Sequence, residues 1–232
     1  LVSDLLKLRR KATMAFAAML GTAISITLLN ATYNDKSDPF TCAMFLAFLG
    51  VYAVRRCRRP WLGVVLCGGC LCLSMGLYQG YIEFAIGLFL LCLLRDCLTQ
   101  DLPWADYLRR GFTAVAALLL GGVLYTVSMK AVLAYKHLTL IDSYNGLQQM
   151  GRSGPMVWLS RLPGAYKQVF ATLLGCNVWN NRGMRLATAL CLLLALACLV
   201  LALRRKSRRV LAQTAILLVL LPLGLNVVFL LS

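Results

Sequence analysis

The chain alternates long apolar runs with tight basic clusters. Apolar runs cover about residues 12–32, 40–54, 61–94, 111–135, 186–203 and 210–231. Lys7, Arg9, Arg10 and Lys11 precede the first run, and Arg55, Arg56, Arg58 and Arg59 separate the second from the third. Arg95, Arg109 and Arg110 follow the third, and Arg204, Arg205, Lys206, Arg208 and Arg209 divide the last two. Membrane proteins keep such clusters on the cytoplasmic side. One helix over 61–94 would put its flanking arginines on opposite faces, whereas two helices keep both inside. The pattern therefore predicts an all-α polytopic bundle of seven spans with the amino end inside.

The hairpin has a consequence. With a short turn, each arm has roughly 15 residues, or about 23 Å, against a hydrocarbon core of about 30 Å. The turn around Gly76, Tyr78, Gln79 and Gly80 should then lie below the outer surface. Polar side chains at that depth need protein or a wet cavity around them. The tip thus reads as the floor of an outward-opening pocket. Because span two is also short, Asp38 at its head should share that recess.

Two further segments are predicted. Residues 95–110 mix Leu98, Leu102, Trp104 and Tyr107 with charges, as expected for a helix at the cytoplasmic interface. Residues 136–183 form an outer loop, in which Tyr166, Val169, Phe170, Leu173 and Leu174 follow Pro163 at helical spacing. That pattern predicts an amphipathic helix on the outer membrane surface. The whole of 1–232 reads as one transmembrane domain. Because it starts at Leu1 and stops on an apolar run, it is expected to be a piece of a longer protein.

Composition adds little that the pattern lacks. Sixty per cent hydrophobic residues and a mean hydropathy of +0.76 fit a multi-pass protein in a lipid bilayer. The net charge of +16 comes from the topology-setting clusters and implies no nucleic acid. Cys67, Cys70 and Cys72 lie inside an apolar run without a polar ligand set, so they read as small packing residues.

Three stretches carry a resemblance: Ser37-Asp38-Pro39-Phe40 with Leu49-Gly50-Val51-Tyr52; Leu73 to Tyr81, reading LSMGLYQGY; and Ser143-Tyr144-Asn145-Gly146-Leu147 with Leu162-Pro163-Gly164-Ala165-Tyr166. Together they resemble the Gtr-type bacterial glucosyltransferases, of the GT-C group. The resemblance implies a bacterial plasma-membrane enzyme that moves a sugar, glucose in this family, from a polyprenyl-phosphate donor to a surface glycan such as O-antigen. It also implies a catalytic acid in the first outer loop of the complete protein, which this stretch need not contain.

Asp38 and Glu83 are the candidate catalytic carboxylates. Asp38 before Pro39 also has the form of a helix cap, and its functional role would be electrostatic or through a divalent cation. Glu83 interrupts an apolar run, where an acid without function would be costly; a plain hydrogen bond to a neighbouring helix is the alternative. Tyr78 and Gln79 offer an aromatic face and an amide to a sugar, or satisfy the turn. Lys130 and Arg152 are candidate grips for the donor phosphate, or lipid-headgroup contacts, and Tyr144 joins them through the resemblance. Transport or flipping of lipid-linked sugars is the rival function, and a scaffold without chemistry would leave Glu83 unexplained.

Overall fold

Proline and extended backbone punctuate the chain where the apolar runs stop. In the computed structural model, residues 37–138, 155–175 and 182–227 are described. The expected first span, Tyr144 and Arg152 lie outside them. The described residues form seven helices and no strand: α1 Ser37–Arg56, α2 Pro60–Leu77, α3 Tyr81–Gln100, α4 Trp104–Lys136, α5 Pro155–Gly175, α6 Arg182–Leu203 and α7 Arg208–Gly224. Pro60 opens α2 after the extended Arg59, and the extended Tyr78 ends it. Pro103 sets the start of α4, and the Ser207 hydroxyl caps α7 by accepting from the Val210 N–H. From Asp38 onward α1 is long and apolar enough to cross a membrane, as are α2 and α4. This is a helical membrane protein.

Helix α2 packs between α1 and α4, whereas α3 leans on α1 and α7. Close approach depends on absent side chains, as is common between membrane helices. A Cβ on Gly63 would fall 3.0 Å from the Val54 Cα, and one on Gly121 would fall 2.8 Å from the Leu71 Cβ. Ala43, Ala47, Val51, Cys67, Leu71, Ala85, Phe89 and Ala117 are buried in one core shared by the first four helices. The Ser74 hydroxyl, also buried, donates to the Ala43 carbonyl at 2.7 Å. Cys67 is free and fully buried there, as a packing residue should be. Helix α5 holds α7 through the Tyr166 hydroxyl, which donates to the Val219 carbonyl at 2.7 Å.

Three sequence expectations need correction. Residues 95–110 are not one interfacial helix. Arg95 to Gln100 is the end of α3, Asp101 turns the chain with a φ of 47°, and Trp104 already belongs to the 33-residue α4. Of the charges that suggested an interface, Arg95, Asp96 and Arg110 pair within the bundle, while Asp101 and Asp106 pair with arginines at its surface. The hairpin arms are accordingly longer than about 15 residues: α2 has 18 and α3 has 20, about 27 and 30 Å. Finally, Pro163 lies inside α5 rather than at a helix start.

The pairing is dense at the basic end. Asp96, with no exposed side-chain area, meets the Arg55 guanidinium at 2.6 Å and also pairs with Arg95 and Arg110. One carboxylate thereby ties α1, α3 and α4. Arg209 donates to both the Asp101 carboxylate, at 3.1 Å, and the Asp101 carbonyl, at 3.0 Å. Beside it, the Gln213 amide donates to the Leu102 carbonyl at 3.0 Å. These contacts fix the start of α7 to the α3–α4 corner.

Two outcomes follow. Asp96→Leu strands three guanidinium groups and should cost about 3–5 kcal/mol. A detergent-extracted variant melting as high as wild type would refute the tie. The Arg209 hydrogen bond holds the Asp101 carboxyl below its usual range. The tether is therefore complete above the unfolded carboxylate pKa of about 4 and is lost as pH falls through the lowered folded value. Hydrogen exchange over 207–213, corrected for intrinsic rate, should rise in acid for wild type and already be high near neutrality in Asp101→Asn.

Candidate functional site

At the opposite end, three residues close the α2–α3 hairpin. The Tyr78 N–H bonds back to Ser74 at 2.9 Å, and the first amides of α3 return to the turn carbonyls. The Tyr78 ring folds over Gly80, where a Cβ would fall 2.7 Å from its Cε1. A side chain at that position would have to displace the ring. Tyr78 then meets Phe40 edge-on at 4.7 Å and Tyr81 at 5.5 Å, and Tyr81 meets Phe84 at 6.4 Å. This aromatic ladder brings the start of α1 against the hairpin tip. The Gln79 amide donates to the Tyr125 hydroxyl of α4, which secures the third side.

Both candidate carboxylates sit at this end. Asp38 is exposed in the first turn of α1, two residues before Phe40, and Glu83 is partly buried in the first turn of α3. Negative charge at helix N-termini is stabilised by the amide dipoles. Tyr78 remains 50% exposed, so its face is open to a ligand.

Beside the tip, α1, α2 and α4 enclose a groove of about 570 Å³ lined by Leu46, Leu73, Leu77, Tyr125, Met129 and Leu133, among others. It is apolar apart from Tyr125, Cys72 and Ser128, the latter two 3.8 Å apart. Lys130 is exposed on the same stretch of α4 but off the stripe that lines the groove. Helices α2 and α4 run parallel, with Gly68 against Leu120 and Leu71 against Gly121. The Gln79–Tyr125 hydrogen bond sets the tip level with Tyr125, and α4 continues to Lys136, about 16 Å further. The tip thus lies below the carboxyl end of α4.

The sequence reading missed two residues. Tyr125 gave no signal, being one aromatic in an apolar helix. Asp96 did: it interrupts Leu93-Leu94-Arg95-Asp96-Cys97-Leu98 much as Glu83 interrupts its own run. At Asp96's end a larger cleft, about 1040 Å³, opens between α1, α3, α4 and α7, with Arg55, Arg56, Arg95, Arg109 and Arg110 on its wall. Its arginines lie about 27 Å from Asp38 along α1, while its apolar wall runs back along α3 as far as Ile86, one turn from Glu83. Among the described residues, no group of three or more His, Cys, Asp or Glu is placed to hold a metal ion.

No curated protein and no solved structure matches the chain. A family model described as "Glucosyl transferase GtrII" matches residues 1–232. The α2–α3 hairpin with its Tyr-Gln tip, set in a bundle of apolar helices, therefore belongs to a membrane glucosyltransferase, and the chain is a member of the GtrII glucosyl transferase family.

Proposed function

We propose that glucose is transferred at the α2–α3 tip, on the outer face of a bacterial plasma membrane. In this reading the donor is a polyprenyl-phosphate sugar, the acceptor is a hydroxyl of a surface glycan such as O-antigen, and the enzyme is of GT-C type. The observation that carries it is the meeting of an open aromatic face, an amide and two carboxylates with an apolar groove. A lipid-linked sugar needs both: a wet polar seat for the sugar and a dry channel for the chain.

The roles follow from position. The polyprenyl chain enters along the groove between α2 and α4. Tyr78 supports the sugar ring and Gln79, held by Tyr125, bonds its hydroxyls. Lys130 reaches round from Met129 to the donor phosphate, since a long side chain can extend from an apolar face. Arg152 takes the phosphate from the outer loop, where Tyr144 adds a sugar contact. The acceptor oxygen attacks the anomeric carbon while the carbon–oxygen bond to phosphate breaks, and the phosphate leaves with the electron pair. Glu83 takes the acceptor proton, and Asp38 steadies the positive charge developing on the sugar.

Transport of lipid-linked sugars would instead need a route joining the two ends. Among the described residues the tip groove and the basic cleft share no lining residue, and the match to a glucosyl transferase family supports transfer.

Glu83→Gln preserves shape and hydrogen bonding but removes the base. Glucosyl transfer should fall about a hundredfold or more while the purified protein stays folded. Near-normal turnover would remove Glu83 from the mechanism. For Lys130→Gln, titration with polyprenyl-phosphate glucose should show donor binding weakened about ten- to hundredfold, the loss of one charge-assisted contact. Unchanged binding would return Lys130 to the lipid headgroups.

A further inference from the structure

Tyr125 belongs to two places at once. Its hydroxyl accepts a hydrogen bond from the Gln79 amide at the hairpin tip, and its side chain lines the apolar groove beside that tip. Neither Tyr78 nor Gln79 lines the groove, so the phenol is where the polar seat and the apolar channel meet. The rest of the groove wall offers little that is polar. Cys72 and Ser128 face each other at 3.8 Å, and Lys130 lies off the lining stripe.

The direction of the Gln79–Tyr125 bond decides what each group has left to offer. The phenol oxygen accepts there, so its own O–H remains to donate. The amide nitrogen donates there, so the Gln79 carbonyl oxygen remains to accept. Among the described residues neither the phenol O–H nor that carbonyl has a protein partner, and the carbonyl oxygen is not sealed from its surroundings. A polar group at the edge of an apolar groove is costly until a ligand or water meets it.

This arrangement matches the order of groups in the donor proposed above. A lipid-linked sugar runs from apolar chain through phosphate to sugar. The protein runs from groove through Tyr125 to Gln79 and Tyr78. We infer that the Tyr125 hydroxyl donates to the phosphate of the lipid-linked sugar, at the step between groove and tip. The inference rests on transfer at the tip and adds to it a phosphate contact from inside the groove. A sugar hydroxyl donates to the Gln79 carbonyl, the Gln79 amide donates to the phenol oxygen, and the phenol donates to phosphate. The three bonds run one way, so each polarises the next. As the carbon–oxygen bond breaks, its electron pair passes to the phosphate oxygen, and the phosphate charge grows toward the about −1.5 to −2 of a monoester. A hydrogen-bond donor aimed at growing charge lowers the barrier more than it tightens binding.

The test titrates the full-length protein in detergent with a polyprenol, the matching polyprenyl phosphate and polyprenyl-phosphate glucose, and follows glucosyl transfer in parallel. Wild type should bind the phosphate more tightly than the alcohol. Tyr125→Phe keeps the ring in the groove and should retain affinity for the polyprenol. Its affinity for polyprenyl phosphate should fall about ten- to hundredfold, the scale of one hydrogen bond to a charged group. The ratio of the two affinities within one variant cancels any general loss of folded protein. In turnover, kcat should fall by more than KM rises. Gln79→Ala leaves the phenol O–H in place, so it should keep the preference for phosphate over alcohol while binding the glucosylated donor less well. A Tyr125→Phe protein with the wild-type preference would overturn the inference and leave transfer at the tip standing. Loss of the preference in Gln79→Ala as fully as in Tyr125→Phe would overturn it too, because Tyr125 would then act only by holding Gln79. Equal binding of alcohol and phosphate by wild type would overturn both the inference and the lipid-phosphate donor beneath it.

Discussion

Burial of one carboxylate sets the frame of this bundle. Asp96 has no exposed side-chain area, and an ionised acid in that position must be paired. Its partners come from the end of α1, from α3 itself and from the second turn of α4. Three helices are thereby held level at their basic ends. The height of everything at the other end then follows from helix length. Helix α2, started by Pro60 and ended by Tyr78, stops early, while α4 runs on for 33 residues. The depth of the Tyr-Gln tip is thus set by an ion cluster at the far side of the bundle.

Helix direction reinforces the division of charge. Helices α1 and α3 both start at the tip end and finish at the basic end. Their positive amide ends face Asp38 and Glu83, and the negative carbonyl end of α1 faces Arg55 and Arg56, while the last turn of α3 carries no base. Each charge therefore sits where the dipole favours it. The two ends are specialised in opposite senses, acidic and aromatic against cationic and amphiphilic.

Much of this was legible in the chain because membrane topology is written in basic clusters. Arg55 to Arg59 and Arg95 required a hairpin, and α2 and α3 form one. The aromatic and amide character of its tip was equally readable from Tyr78, Gln79 and Tyr81. Arm length was not. Arg95 and Asp96 look like the end of a span when read singly, since the sequence does not say that Arg55 and Arg110 will neutralise Asp96 inside the protein. The same blindness produced the interfacial helix over 95–110, although Asp101 and Pro103 were available as a corner. Gln79 was readable as polar, but its partner Tyr125 lies 46 positions away, and nothing local marks that pairing.

The two clefts have a common origin in packing. Glycines let α2 press against α1 and α4, with a Cβ at Gly63 or Gly121 meeting a neighbour at 3.0 or 2.8 Å. Helix α3, tied instead to α1 and α7, diverges from its own hairpin partner beyond the tip. Close packing on one side leaves space on the other, because a helix cannot follow two neighbours that separate. The larger cleft opens between α3, α7 and the lower part of α4. The groove opens where α4 passes the end of α2, its wall formed by the Tyr125, Met129 and Leu133 stripe. A glycine-dependent contact in the middle of the bundle thus shapes both the apolar groove at one end and the arginine-walled cleft at the other.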